Sequence, residues 1–302
     1  MRIGVDLGGT KIEVIALASD GTLLFRHRVP TPAGDYPRIL DAIKDLVGLV
    51  ESKFAQKGTV GVAAPGAISP TTGYIKNSNS TALNGKPLDR DLSRKLGRPI
   101  RIENDANCFA LSEAADGAAA QARVVFGVIL GTGVGGGIVV DKQLIAGRNK
   151  IAGEWGHNPL PWMADHELPG APCYCGRLGC IETFLSGAGL SREYRFRTGV
   201  DLAPPEIVSA STAGDEKATE CLDLYQSRLA RGLAAVINVL DPDAIVLGGG
   251  LSNLPEIYTK LPDLINKHAF SDCIDTPILR AMHGDSSGVR GAAWLWPAVS
   301  VR

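Results

Sequence analysis

Residues 2–17 read Arg-Ile-Gly-Val-Asp-Leu-Gly-Gly-Thr-Lys-Ile-Glu-Val-Ile-Ala-Leu, and residues 124–140 read Val-Val-Phe-Gly-Val-Ile-Leu-Gly-Thr-Gly-Val-Gly-Gly-Gly-Ile-Val-Val. Each is a β-branched run, a glycine turn and a second β-branched run, which is the signature of a hairpin. Helix-like segments follow both. The chain is therefore expected to consist of two similar α/β halves, each opening with a glycine-turn hairpin.

Working outward from the first hairpin, the pattern predicts a helix near Tyr36–Phe54, a strand at Thr59–Ala64 and a loop rich in Asn, Ser and Gly over about Ser69–Gly85. A strand at Ile100–Glu103 runs through Asn104-Asp105 into a helix from Ala106 to about Ala115, so Asp105 sits at or just before a helix N-terminus. In the second half, Leu222, Leu229, Leu233, Val236, Ile237 and Leu240 fall on one helical face, which stops at Asp241-Pro242. A strand at Ala244–Leu247 enters Gly248-Gly249-Gly250, a helix follows from about Pro255, and Ser286–Trp296 reads as a final helix. Residues Asn149–Cys180 read as loop, and the stretch near Gly117–Arg123 as a hinge.

The bulk numbers restrict the function. The chain has 302 residues, 45% of them hydrophobic, enough for about two domains. Its 31 Lys+Arg balance 32 Asp+Glu, without the basic excess of a nucleic-acid or membrane-surface binder. No secretory leader pattern follows Met1, and no apolar run approaches the ~18–20 residues of a membrane span. The six cysteines are not spread as a disulfide framework, so a reducing, cytoplasmic setting is expected.

Asp6-Leu7-Gly8-Gly9-Thr10-Lys11 places glycines where backbone N–H groups can surround an anion, with Thr10 and Lys11 adding a hydroxyl and a charge. A tight hairpin and nothing more satisfies this short motif equally well. Gly131-Thr132-Gly133-Val134-Gly135-Gly136 formally matches G-x-G-x-x-G, but a strand follows it where a dinucleotide site needs a helix. That excludes the dehydrogenase reading, and the lack of a Walker A sequence disfavours a P-loop enzyme. Two hairpin turns in duplicated halves and a third cluster at Gly248, Gly249 and Gly250 resemble the actin-like ATPase superfold that includes sugar kinases. The resemblance implies a nucleotide between the halves, its phosphates facing Gly8, Gly9, Gly131, Thr132 and Gly133.

Cys173, Cys175 and Cys180 stand within one short stretch spaced by Gly176 and Gly179, and His157 precedes them. Three thiols and an imidazole suit tetrahedral Zn²⁺, and a filled coordination shell means a structural ion. Cys108, Cys221 and Cys273 read as small buried apolar residues, and Trp155 and Trp162 as core packing.

Together, Asp6–Lys11, Glu103–Asn107, Gly131–Gly137, Gly153-Glu154-Trp155-Gly156-His157, Cys175–Glu182 and Leu247–Gly250 resemble the ROK family (repressors, open reading frames and kinases) over essentially the full length. The implied fold is the duplicated, ribonuclease H-like actin-like ATPase fold with an interdomain cleft. The expected domains are residues 1–118, with a C-terminal helix of about 287–302 packing back on them, and residues 119–286 with the zinc loop. The resemblance implies Asp105 as the base that accepts the proton of the sugar hydroxyl. It implies sugar contacts from Asn79, Asn104, Asp105, Glu154, His157 and Glu182, and ATP with Mg²⁺ near Asp6. It also implies a homodimer. Lys76–Thr81, His157–Trp162 and Gly284–Gly291 resemble bacterial fructokinases of the mannofructokinase type, so fructose is the expected sugar, with N-acetylglucosamine, mannose and glucose as alternatives. Readings of another class are a sugar-responsive repressor and a non-catalytic sensor. The first phosphate loop begins at Asp6 with no basic recognition segment, which argues against the repressor. The intact Asp105 and glycine turns argue against the sensor.

Overall fold

The computed structural model describes residues 1–78, 80–254 and 256–297. The first hairpin forms as β1 (Arg2–Leu7) and β2 (Lys11–Leu17), with Leu7 opposite Ile12 at the turn. An edge strand, β3 (Leu23–Pro30), pairs antiparallel with β2. Helix α1 (Tyr36–Phe54) starts where the Asp35 side chain accepts from the Arg38 N–H, and it buries Ile39, Ile43, Leu46, Val47 and Val50. Strand β4 (Thr59–Ala64) lies parallel to β1. The expected loop near residues 69–85 contains a two-stranded ribbon, β5 (Ala67–Ile68) with β6 (Ile75–Lys76). Then come α2 (Leu88–Leu96), β7 (Arg101–Asn104) parallel to β4, and α3 (Asp105–Ala115).

The plan repeats in β8 (Val124–Leu130), β9 (Val134–Val140) and the short β10 (Gln143–Leu144). After the loop-rich stretch come α4 (Ile181–Leu185), α5 (Gly187–Thr198), α6 (Pro204–Thr212) and the long α7 (Glu216–Leu240). Strand β11 (Ala244–Gly248), α8 (Ile257–Asn266), β12 (Ile278–Arg280) and α9 (Ser287–Trp294) follow. The last helix ends short of the expected span, and residues 298–302 lie outside the described residues.

One sheet has the order β3-β2-β1-β4-β7 and the other β10-β9-β8-β11-β12. These are the same topology twice: an antiparallel meander followed by two parallel strands. This duplication is the actin-like ATPase fold. The chain divides into two compact units. The first comprises Met1–Ala120, Gly137–Ala152 and the residues from Met282 on; the second comprises Gln121–Gly136 and Gly153–Ala281.

In the first unit, Ile3, Val5, Ile12, Val14, Val60 and Val62 of the sheet form one core with the buried faces of α1 and α2. On the opposite face, α9 packs against β1, β2 and β4 and against α3. That approach requires glycine. A Cβ on Gly61 would lie 1.9 Å from the Ala292 carbonyl oxygen, and one on Gly291 would lie 1.7 Å from that of Cys108. In the second unit, α7 contacts α5, α6 and α8, and Phe126 of β8 meets Trp155 edge-on at 5.8 Å.

Candidate functional site

Asp6 is the penultimate residue of β1, and the turn that follows is closed by a hydrogen bond from the Gly8 N–H to the Lys11 carbonyl at 3.0 Å. Thr31 pins the turn from outside: its hydroxyl donates to the Gly8 carbonyl at 2.7 Å, and its N–H donates to that of Thr10. A Cβ on Gly8 would sit 2.9 Å from the Lys11 carbonyl oxygen, so the closure needs a glycine there. Gly9, Thr10 and Lys11 remain exposed.

Burial, then the charges of Asp105 and Glu13, push the Asp6 carboxyl up to about 6, against the opposing pull of Lys11 and Arg28. Glu13 is itself buried and held by Arg26 at 2.5 Å and Arg28 at 2.6 Å. The segment 284–291 approaches the same place: a Cβ on Gly288 would lie 3.5 Å from Asp6 Oδ2.

Asn104 caps α3. Its Oδ1 accepts from the Ala106 N–H at 2.8 Å, and its Nδ2 donates to the Gly66 carbonyl at 3.3 Å. Asp105 is the first residue of the helix. Its surface is open to solvent, while the protein packed around it pushes its carboxyl above the ordinary range. Hydrogen bonds from the N–H groups of Ala106 and Asp105 and from Asn104 pull the other way.

In the second unit, the Gly131 N–H donates to the Gly133 carbonyl at 3.0 Å, closing the second turn. Gly248 ends β11. Gly249 has φ +84°, and a Cβ there would lie 2.4 Å from the Leu130 carbonyl oxygen, so the third glycine cluster packs on the end of β8.

The loop before α4 is organised around four donors. Nδ1 of His157 lies 3.5 Å from Cys173 Sγ, and Cys175 Sγ lies 3.5 Å from Cys180 Sγ. All four donor atoms fall within 4.8 Å of one another. Tetrahedral Zn²⁺ with bonds of about 2.3 Å to sulfur and 2.0 Å to nitrogen places its ligand atoms roughly 3.5–3.8 Å apart, so the donor set fits that ion. Gly176 (φ +86°) and Gly179 (φ +68°) take left-handed backbone that other residues resist, and this curls the three cysteines inward. Glu154 precedes the short helical turn Trp155–His157 and is exposed.

Glu182 stands two residues beyond Cys180, and its Oε2 accepts from the Val134 N–H at 2.9 Å. The expected sites thus group within each unit: Asp6, the first turn, Asn104 and Asp105 in one; the second turn, Glu182, His157 and the cysteines in the other. Asn79 lies outside the described residues.

Two expectations fail. Trp155 is buried, with its indole N–H donating to the Gly135 carbonyl at 3.0 Å, but Trp162 is 53% exposed and stacks on His268. It therefore is not core. Cys273 is exposed, unlike Cys108 and Cys221, because it sits on an irregular turn after α8. Sequence reasoning also passed over Tyr174, whose hydroxyl lies 2.9 Å from His157 Nε2. Its position between two candidate metal ligands was the available signal. Among the described residues no helix is long and apolar enough to cross a membrane.

Comparison with known proteins agrees with this geometry. The family model described as the ROK family matches residues 2–299. An N-acetyl-D-glucosamine kinase of Escherichia coli is 43% identical over 299 residues, covering 98% of this chain and 99% of that protein. The crystal structure of a ROK hexokinase from Thermus thermophilus superposes with a TM-score of 0.88 at 30% identity, covering 97% of each chain. A ROK family glucokinase from Streptomyces griseus, solved with glucose and AMPPNP, gives 0.74 at 29% identity, again covering 97% of each chain. With its duplicated sheets and its glycine turns in the family's order, the chain belongs to the ROK family.

Proposed function

We propose that this protein is an ATP-dependent hexose kinase that converts D-fructose to fructose 6-phosphate, with Asp105 as general base. The observation that carries the kinase reading is Asp105 at the start of α3, capped by Asn104 and close enough in charge to raise the Asp6 carboxyl, in the same unit as a closed glycine turn. In the transfer, the sugar hydroxyl oxygen bonds to the γ-phosphorus as the bond to the ADP oxygen breaks, and Asp105 takes the hydroxyl proton. The positive end of α3 favours the ionised carboxylate that this requires. The transition state is loose, so positioning and charge stabilisation dominate the rate.

Gly8, Gly9, Thr10, Lys11, Gly131, Thr132 and Gly133 are the groups assigned to the phosphates, and Gly248, Gly249 and Gly250 those assigned to the adenosine. Asn79, Asn104, Glu154, His157 and Glu182 are assigned to the sugar hydroxyls, which both donate and accept. Asp6 would meet Mg²⁺ through water, and the ion when bound with ATP offsets phosphate charge. Through Nδ1 and the three thiolates, His157, Cys173, Cys175 and Cys180 would hold Zn²⁺, which when bound fixes the ring of His157 and leaves Nε2, now beside the Tyr174 hydroxyl, to hydrogen bonding. The free thiols of all six cysteines suit a reducing compartment, and we assign the enzyme to the cytoplasm, as a homodimer.

Fructose is favoured by Lys76–Thr81, His157–Trp162 and Gly284–Gly291, the segments that resemble fructokinases. The 43% identity to an N-acetyl-D-glucosamine kinase favours that amino sugar as the second reading. The name of a relative does not fix the sugar, because a hexokinase and a glucokinase both share this one scaffold. The deciding experiment compares kcat/KM for fructose, mannose, glucose and N-acetylglucosamine with Mg-ATP, using Asp105→Asn as control. A lead for fructose supports the proposal. A lead for N-acetylglucosamine transfers it to the second reading, and no turnover with any of the four overturns the kinase.

A further inference from the structure

Glu182 reaches away from the candidate metal loop into the second glycine turn. Its Oε2 takes the Val134 N–H at 2.9 Å, and a Cβ on Gly133 would lie 2.7 Å from the same oxygen. The turn is gripped from the other side too, where the Gly187 N–H at the start of α5 donates to the Gly131 carbonyl at 2.8 Å. Between these contacts Cys180, Ile181 and Glu182 run without a spacer, and the Ile181 N–H is tied to the Asn158 carbonyl at 2.9 Å. A carboxylate therefore already holds one backbone donor of a turn whose shape suits an anion.

A phosphate oxygen and the Glu182 carboxylate are like charges that seek the same kind of donor, so they contend for this turn. Sugar hydroxyls offer the carboxylate another set of donors. We propose that Glu182 is a positioning residue that couples the two substrates. Without sugar its carboxylate occupies the Val134 N–H and repels the nucleotide phosphates. With sugar bound it turns to the hydroxyls and leaves the turn to the phosphates. The inference rests on the kinase reading, which assigns phosphates to this turn and a sugar hydroxyl to Glu182. By linkage, nucleotide must then tighten sugar binding by the same factor that sugar tightens nucleotide binding.

The test is calorimetric titration of the zinc-replete full-length protein with Mg-AMPPNP in the absence of sugar. Both Glu182→Gln, which removes the charge, and Glu182→Asp, which keeps it on a shorter arm, are expected to bind the nucleotide at least about fivefold more tightly than wild type. A residue that only touches sugar cannot move an affinity measured with no sugar present. Repeating the titration with the sugar of highest kcat/KM is expected to tighten nucleotide binding in wild type and to change it less in either variant. If wild type binds AMPPNP but either variant shows no sugar-free gain, the coupling is overturned and the kinase reading stands. If wild type binds no AMPPNP either without sugar or with it, the kinase reading itself falls.

Discussion

Nδ1 of His157 and Sγ of Cys173 stand 3.5 Å apart, a separation that a shared Zn²⁺ imposes on an imidazole and a thiolate. The protein is accordingly expected to carry one zinc per chain by elemental analysis. Cys180→Ser should lower that content and cut kcat/KM by at least about tenfold, because the same loop carries His157 and Glu182. Full activity in a zinc-depleted protein would remove the ion from the site.

Asp105→Asn should lower kcat by about 10²–10⁴-fold, the contribution of a positioned base, with no loss of melting temperature at neutral pH, because the ionised carboxylate is itself a cost to the ligand-free fold. The wild-type carboxyl lies above the ordinary range because the protein packed around it displaces solvent. The acid limb of kcat/KM should therefore fall at a pH above the usual value of about 4 for aspartate. A profile flat down to that value would contradict the role.

Asp6 makes an opposite stability prediction. Its carboxyl rises from 3.8 to about 6 in the folded protein, so the folded state holds the proton more tightly than the unfolded one. Ligand-free stability should increase as pH falls from above 6 toward 4, and the cost of the ionised group is fully present above 6. Asp6→Asn should stabilise the ligand-free protein at pH 8 by something on the order of 2 kcal/mol, and by much less at pH 4. Denaturant titrations at the two pH values measure the difference.

Glu167 is buried between two arginines of α7, with Arg231 Nη2 at 2.6 Å and Arg228 Nε at 2.8 Å. Burial alone would raise its carboxyl, but the hydrogen bonds from Arg231 and Arg228 outweigh it and hold it at about 2. Its contribution is present above pH ~4.5 and is lost as pH falls toward 2. Glu167→Gln takes the carboxylate from buried Arg231 and leaves Arg228 with Glu193 at 2.9 Å, and should cost about 3–5 kcal/mol near neutral pH. The gap from wild type should narrow on acidification.

Gly291→Ala and Gly48→Ala make a paired test of helix packing. The added methyl at Gly291 collides with the Cys108 backbone, so destabilisation should reach at least the roughly 1–3 kcal/mol of an overpacked core. Gly48 in α1 has open space, and alanine there should stabilise by about 0.5–1 kcal/mol. Similar melting temperatures for the two variants would contradict the packing.

The two glycine hairpins and α7 were legible because period-2 and period-3.6 patterns persist there over full elements. Strand β3 was not, since Arg26, His27 and Arg28 give an edge strand no apolar alternation. Helix α2 was missed because its buried face is only Leu88 and Leu92. The place of Asp105 at the start of α3 and the grouping of the cysteines with His157 were readable from the sequence, but the Val134 partner of Glu182 was not, because the two are joined only by the folded loop.

Glu113 is the sharpest case. It looks like an ordinary polar residue of α3, yet its side chain is fully buried. Its carboxylate accepts from the N–H groups of Ala118 at 2.9 Å and Met282 at 3.0 Å and from the Ser287 hydroxyl at 2.9 Å. Ala118 is a near neighbour, but Met282 and Ser287 lie far along the chain, beyond the reach of any local pattern.

The seating of α9 on β1, β2 and β4 bears on biosynthesis. Ile15 and Leu17 are buried against Val289 and Ala293, residues that leave the ribosome only after the whole of the second unit. Through translation of the entire second unit, the first sheet waits with one apolar face uncovered. The order of synthesis and the order of completion therefore run against each other. The nascent chain closes β1 and β2 only with α9, made after the second unit, and until then that face is open to chaperones and to aggregation.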